Sequence, residues 1–395
     1  VDRAKGPRAW EEYRDFIQIF VDLWHRGVED PVCTQAETLA WLLEGYAQTD
    51  YGRQFAPGEL LSLAGHPAHL FDAYRRAFPA VTYDQVKPWI DRVVAGDVQA
   101  FLPEPPVAWA MTRGTTRGTS KRIPITECDL SIRVAAARGL LNYLLRTDQL
   151  DAVDGYSLNL NYPSVVGTMT VSGQETPFGF SSGIYVRHAA AATPVDILPP
   201  QEEIDALGGG NTPGAWKRRF EMVYQRTKGA PITMCAGVCP SIIEFGEYVR
   251  RRHKVLPKRL WGMRVIAATS VPGIHTKYKP ALHALYGPVD IVEMYIATEG
   301  TFAQQRDERC LLVPNYDLYL FEVETADGGV KMLYEMQPGE YGSLIVSTPV
   351  LPRYRIGDLV RAFDPPYFRC VGREGRWTKL RYWVEGLRNL DFGRA

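Results

Sequence analysis

The stretch Thr112-Arg-Gly-Thr-Thr-Arg-Gly-Thr-Ser-Lys121-Arg122 concentrates phosphate-binding chemistry in one loop. Gly114 and Gly118 let backbone N–H groups approach an anion closely. Thr112, Thr115, Thr116, Thr119 and Ser120 add hydroxyl donors, and Lys121 can neutralise phosphate charge with Arg113, Arg117 and Arg122 nearby. It is not a Walker A loop, because two residues separate Gly118 from Lys121. Taken alone, the loop also reads as a solvated Gly/Thr hairpin. A second candidate is Tyr295-Ile-Ala-Thr298-Glu299-Gly300. It lies at the end of a predicted strand, where open α/β sheets place their ligands. A carboxylate there can hold Mg²⁺ against nucleotide phosphates, because that ion takes one or two carboxylates plus phosphate oxygens. The plainer reading is a helix-capping Thr-Glu turn. Third, Tyr354-Arg-Ile-Gly357-Asp358 sets a carboxylate after a glycine, able to accept hydrogen bonds from both hydroxyls of a ribose. The plainer reading is a turn aspartate.

These residues need elements to position them. Val107–Met111 and Arg122–Ile125 read as strands flanking the loop, and Thr126 caps an apolar helix running to Leu145. Arg264–Thr269, a helix through Lys277–Leu285 and a strand at Val289–Tyr295 form a βαβ unit, with the loop Ser270-Val-Pro-Gly273 between. At the N-terminus, Tyr13, Phe16, Ile17, Phe20 and Trp24 follow helical spacing. Thr34 with Glu37 predicts a capping box before the stripe Leu39, Leu42, Leu43, Tyr46. Residues 151–215 are rich in Gly, Ser, Pro and Asn, and a helix spans Ala215 to Arg226. Beyond 310 the pattern turns to short strands: Leu311–Val313, Leu318–Val323, Val330–Tyr334 and Ser343–Ser347. The expected fold is α/β, with mixed sheets flanked by helices and a small β-rich subdomain.

Composition limits the function classes. The 395 residues carry 45 Lys+Arg and 45 Asp+Glu, with 46% hydrophobic and 23% charged residues. Zero net charge speaks against a non-specific nucleic-acid or anionic-membrane binder. No apolar run is long enough for a transmembrane helix. The chain starts at Val1 with no signal-peptide pattern, and its six scattered cysteines include no CxxC pair. The expectation is a cytoplasmic protein with buried or half-buried thiols. Its oligomeric state stays open. Seven histidines show no HxxxH or HExxH pattern. Gly179-Phe-Ser-Ser-Gly183 matches the G-x-S-x-G string, but a short apolar run follows it, so a plain Gly/Ser turn is expected. Arg250-Arg-Arg-His-Lys254 reads as a solvated helix end.

Thr-x-Gly-Thr-Thr-x-Gly-x-x-Lys, then Tyr-x-x-Thr-Glu, then Tyr-Arg-x-Gly-Asp, in that order, resembles the adenylate-forming enzymes. More narrowly it is similar to the auxin-responsive acyl acid amido synthetase family. Thr49-Asp-Tyr-Gly-Arg53, Phe78-Pro79 through Val81-Thr-Tyr83, and Arg122-Ile-Pro-Ile-Thr126 support it, and the resemblance covers roughly residues 35–378. It implies that a carboxylic acid attacks the α-phosphate of ATP to give an acyl-adenylate, and that an amine such as an amino acid then displaces AMP. It would place Thr112, Gly114, Thr115, Thr116, Gly118 and Lys121 around the phosphates, Thr298 near the α-phosphate and Glu299 on Mg²⁺. Tyr295 would lie beside adenine and Asp358 on the ribose, with the Ser270–Gly273 loop on the nucleotide side. Gly372-Arg373 would be the hinge to a mobile C-terminal domain.

The chain departs from that pattern in three places. Arg113 and Arg117 stand where the family has small residues, Lys379 sits in a poor context for the hinge-region lysine, and almost all of the C-terminal domain is missing. The expected organisation is a large ATP- and acyl-acid-binding domain over 1–372, with its β-rich part at about 305–372. Residues 373–395 would be the hinge and the start of a truncated or absent domain. An acyl pocket is expected from 155–190 and 232–246, where Leu158, Leu160, Tyr162, Met169, Phe178, Phe180, Ile184, Tyr185, Met234 and Val238 suit a hydrophobic or aromatic acid. Arg187 or His188 could meet its carboxylate. Two alternatives remain at this stage: a thiol acceptor such as coenzyme A or a carrier protein, and a nucleotide- or acid-binding protein without turnover.

Overall fold

Apolar runs become strands and amphipathic runs become helices in the computed structural model, which describes residues 9–111, 121–193, 195–208, 212–269 and 271–375. A twelve-stranded sheet has two halves. The parallel half runs Asp196–Leu198, Tyr156–Leu158, Ile232–Val238, Val265–Thr269 and Asp290–Ala297 in spatial order. The antiparallel half continues without a break through Gly300–Gln305, Leu312–Pro314, Phe368–Arg373, Leu351–Ala362, Tyr341–Thr348, Leu320–Glu324 and Val330–Met332. A hairpin joins the halves, pairing Gly300 with Ala297. The C-terminal β-rich stretch is therefore hydrogen-bonded directly onto the α/β body.

The parallel strands are apolar on both faces because helices cover both. On one face Cys235, Ile266 and Ala268 pack with Phe220, Phe245 and Leu282. On the other, Met234, Val265 and Val292 pack with Ile17, Val21 and Leu144. The βαβ unit forms as expected, with Val265–Thr269 parallel to Asp290–Ala297. Pro280 is accommodated because it falls in the first turn of the helix Lys279–Tyr286, where no N–H is required.

A second sheet of four strands orders Arg122–Ile125, Ala108–Met111, Gln174–Phe180 and Gly167–Val171. Its Trp109, Ile123 and Ile125 share the main core with Phe302, Val313 and Tyr354 of the large sheet. That packing places the two ends of the 112–120 loop, itself outside the described residues, against the antiparallel half.

Several expectations are corrected. The second N-terminal helix starts at Pro31, and its cap is Asp30, whose carboxylate accepts from the Cys33 N–H at 3.1 Å; Thr34 lies inside the helix. The helix after Thr126 breaks into Glu127–Ala135 and Arg138–Arg146. The G-x-S-x-G string is no plain turn: it joins the strand Gln174–Phe180 to the helix Ser181–Ala192. Ser181 lacks the positive φ of a strained elbow. Its glycines serve packing instead, since a Cβ on Gly179 or Gly183 would collide with the backbone of residues 162–164. Cys33 is exposed, while the other five thiols are buried or half-buried and all six are free. No described helix is long and apolar enough to cross a membrane.

Candidate active site

Three separate segments converge at the carboxyl end of Asp290–Ala297. Thr298 and Glu299 are the two-residue turn of the hairpin to Gly300–Gln305, so the helix-cap alternative does not apply. Gly357, at φ +81°, kinks the long strand Leu351–Ala362 just before Asp358. Asp358 is therefore a strand residue, paired across the sheet with Arg373, and not a turn aspartate.

The Tyr295 hydroxyl donates to Asp358 Oδ2 at 2.5 Å, and Arg373 Nε lies 3.1 Å from Asp358 Oδ1. Arg373 also donates to the Ile356 carbonyl at 2.6 Å. Burial pushes the Asp358 carboxyl above its ordinary value, against the pull of Arg373 and Tyr295. Each carboxylate oxygen keeps a second lone pair for a hydroxyl donor. Tyr295 itself is buried, with its ring edge-on to Phe368.

Glu299 is 3% exposed. Burial raises its carboxyl, opposed by the charges of Lys121 and Arg373. Lys121 Nζ donates to the Tyr354 hydroxyl at 3.1 Å, and burial with the nearby Glu299 charge raises the same phenol. Lys121 also sits 5.4 Å from the centroid of the Tyr83 ring, a cation–π distance. Glu299 thus lies within electrostatic reach of Lys121, Tyr354, Asp358 and Arg373.

The supporting motifs turn out to be the site's scaffold. Val81 forms a parallel bridge to Tyr354, donating to the Arg353 carbonyl at 2.9 Å and accepting from Arg355 N at 2.7 Å. The Tyr83 hydroxyl accepts from Arg122 N at 3.0 Å, fixing the residue after Lys121. Arg353, buried at φ +42°, grips Glu322 with Nε at 2.8 Å and the Phe78 carbonyl with Nη1 at 2.6 Å. Thr49 caps the turn Asp50–Arg53, and Gly52 there lets the chain pass the Tyr46 carbonyl.

Residues 25–200 match the model of the GH3 family N-terminal domain. The match covers less than half of the chain. Over 97 residues it is 34% identical to a probable indole-3-acetic acid-amido synthetase of Oryza sativa subsp. japonica, a match covering 24% of this chain and 21% of that protein. The matched part thus spans about a fifth of that relative's length. An acyl acid amido synthetase solved in complex with 2,4-DB superposes with TM-score 0.69 at 16% identity, over 95% of this chain and 72% of that one. A 2-hydroxyisobutyryl-CoA ligase in complex with 2-HIB-AMP and CoA gives TM-score 0.57 at 14% identity, over 86% and 74%. The chain shares its fold with these two structures.

Within this fold the other expected residues fall as follows. Thr112, Gly114, Thr115, Thr116, Gly118 and Ser270 lie outside the described residues, as do Arg113, Arg117 and Lys379. Gly273, at φ +79°, opens the turn Ile274–Tyr278 beyond Thr269, at the same edge of the sheet as Thr298. The acyl-pocket set divides. Tyr162 packs against Phe180 and Trp216 at 4.8 and 4.9 Å, whereas Leu158 and Leu160 belong to one core and Met234 to the core on the opposite face. Arg187 lies 3.9 Å from Asp205 and His188 3.9 Å from Glu127.

Sequence reasoning assigned no role to Tyr354, although the residue opens the third motif. It also missed Asp129 and Arg133. Arg133 donates to Asp129 Oδ2 at 2.6 Å and to the Thr298 carbonyl at 2.9 Å, both residues being fully buried. The signal was an oppositely charged i, i+4 pair inside an apolar helix.

Proposed function

We propose that the chain activates a small hydrophobic or aromatic carboxylic acid with ATP as an acyl-adenylate and passes the acyl group to an amine, an amino acid in the first instance. The observation that supports this most is the meeting of Lys121, Glu299 and Asp358, three motif residues far apart in sequence, around Tyr354 and Tyr295. The relatives named amido synthetases support the amine as acceptor.

In this reading the acid's carboxylate oxygen attacks the α-phosphorus, pyrophosphate leaves, and the amine nitrogen then attacks the acyl carbon and expels AMP. The transfer asks for positioning and charge neutralisation, not a protein nucleophile. Lys121 and the 112–118 loop hold phosphate oxygens, Asp358 accepts from the ribose hydroxyls, and Tyr295 borders the adenine. Arg373, 69% exposed, can swing from Asp358 when ribose binds. Thr298, its carbonyl held by Arg133, fixes the turn at the α-phosphate. Glu299 is the residue that would hold Mg²⁺, which supplies further charge neutralisation when bound. One buried carboxylate suits an ion that draws its other ligands from phosphate and water. Residues 1–372 would form the ATP- and acid-binding unit and 373–395 the hinge, in a cytoplasmic protein.

ATP–pyrophosphate exchange over a panel of aryl and alkyl acids tests the reading. Acid-dependent exchange is the expected result and names the acid class. Retained ATP binding with no exchange for any acid overturns it and leaves a binding protein. Screening amines against thiols on the loaded adenylate then decides the acceptor.

A further inference from the structure

Beside the Thr298–Glu299 turn lies a buried ion pair that touches no substrate in the reaction proposed above. Asp129 and Arg133 both belong to the helix Glu127–Ala135, at 0% and 2% exposure. Arg133 Nε donates to Asp129 Oδ2 at 2.6 Å, one turn back along the helix. Its Nη2 leaves the helix and donates to the Thr298 carbonyl at 2.9 Å, 165 positions away in sequence. Thr298 and Glu299 are the two residues between the strands Asp290–Ala297 and Gly300–Gln305, so that carbonyl stands outside the strand ladder. Just past the turn, the Tyr319 hydroxyl accepts from Thr301 N at 3.3 Å, and the Phe302 and Tyr319 rings crowd the place a Cβ on Gly300 would take. The turn is therefore held at both of its ends.

The pair is poorly suited to stabilise the fold. Mutual attraction repays the desolvation of two buried charges only where their remaining polar atoms are satisfied as well. Here Asp129 Oδ1 is buried without a hydrogen-bond partner among the described residues. Burial pushes the Asp129 carboxyl up, against the pull of Arg133. Two apolar side chains of similar volume would fill the same space without that cost, but they could not hold a backbone carbonyl. The helix also follows directly on the strand Arg122–Ile125, and the Thr126 hydroxyl between them accepts from Asp129 N at 3.2 Å. One strand and one helix thus tie Arg133 to Lys121, whose charge acts on Glu299. The same segment reaches the turn twice, once by charge and once by a hydrogen bond.

We propose, resting on the adenylation reading of this site, that Arg133 is a positioning residue oriented by Asp129. It fixes the Thr298–Glu299 turn where adenylyl transfer requires it, and the pair serves that placement and not the stability of the fold. Misplacing a reacting or binding group by about 1 Å costs on the order of 10²-fold in rate, so one hydrogen bond at the turn is enough to matter.

The test replaces the pair in the whole chain by apolar residues of similar volume, Asp129→Leu together with Arg133→Met. The double variant should match or exceed the urea midpoint of the unsubstituted chain. Deuterium uptake without nucleotide, read by mass spectrometry, should rise over residues 296–301 and stay unchanged in the parallel strands. In acid-dependent ATP–pyrophosphate exchange, kcat should fall about 10–100-fold while the KM for ATP stays within about twofold, because Lys121 and Asp358 are untouched. If the double variant does not fold, Arg133→Lys takes its place. It keeps the charge beside Asp129 but presents one nitrogen where the guanidinium presents several, and the same rise in uptake and fall in kcat are expected. Unchanged uptake over 296–301 in the folded variant overturns the proposal, and so does a lower urea midpoint with kcat unmoved. No exchange in the unsubstituted chain overturns the adenylation reading instead, and the uptake, measured without substrate, then still decides whether Arg133 holds the turn.

Discussion

The two halves of the large sheet deliver site residues by different means. The parallel half delivers them at strand ends: Glu299 sits in the turn after Asp290–Ala297, and Gly273 in the loop after Val265–Thr269. The two delivering strands pair with each other in unbroken parallel register. The antiparallel half delivers Tyr354, Asp358 and Arg373 from within strands, where a side chain would normally meet only its neighbours. It does so by deformation. Arg353 and Gly357 take positive φ, as does Gly372, and the register slips between Leu359 and Val360. The lesson is that strand ends give a site almost without strain, whereas mid-strand residues require a strained backbone held by buried polar contacts.

Removing one of those contacts should break the comparison most severely. Arg353→Met leaves buried Glu322 with only Arg75 Nε at 3.0 Å as a partner, and the expected loss is about 3 kcal/mol of stability, read from urea midpoints. A midpoint within error of the unsubstituted chain would mean that the distorted strand needs no clamp. Next come Lys121→Ala and Glu299→Ala, each expected to cut acid-dependent pyrophosphate exchange by about 10²–10³-fold while circular dichroism stays unchanged. Normal exchange in folded variants would remove both residues from the site.

Gly357→Ala isolates the kink. A Cβ there has open space, its nearest neighbour being Arg373 Nη1 at 3.7 Å, so the cost is conformational, about 1–2 kcal/mol. The same change should raise the KM for ATP by shifting Asp358, and a stability loss with KM unmoved would separate kink from site. Asp358→Ala should raise that KM by about tenfold with a smaller change in kcat, because the ribose contact persists through the reaction. Substrate-saturation curves measure it, and an unchanged KM would take Asp358 off the nucleotide.

The smallest effect concerns Glu299→Gln and pH. Burial raises the Glu299 carboxyl, so the folded state binds its proton more tightly than the unfolded chain does. Its contribution to stability therefore falls as pH rises past the ordinary carboxylate value toward the raised one. Glu299→Gln should melt slightly above the unsubstituted chain near neutral pH, and the gap should close below about pH 4, where the carboxyl is protonated in both states. A gap independent of pH would show that ionisation of Glu299 is not what costs stability.

Much of this arrangement is legible in the order of the residues. Amphipathic spacing predicts the N-terminal helices, the βαβ unit through Val265–Thr269 and Asp290–Ala297, and the short strands after residue 310, because periodicity is a local property. Motif order names Lys121, Glu299 and Asp358 together. Local signals fail where partners are distant. Asp30 displaces Thr34 as a cap, and the G-x-S-x-G string becomes a strand–helix junction because its glycines make room for a passing chain.

By itself, then, the sequence determined the α/β class, the motif residues and the chemistry their functional groups allow. Tertiary structure alone decided that the β-rich strands continue the parallel sheet, that Tyr354 receives Lys121, and that Arg133 anchors Thr298. The physical reason is range. Periodicity and turn chemistry act over a few residues, whereas a buried polar group takes whatever partner the fold brings to it, here from segments more than 160 positions away.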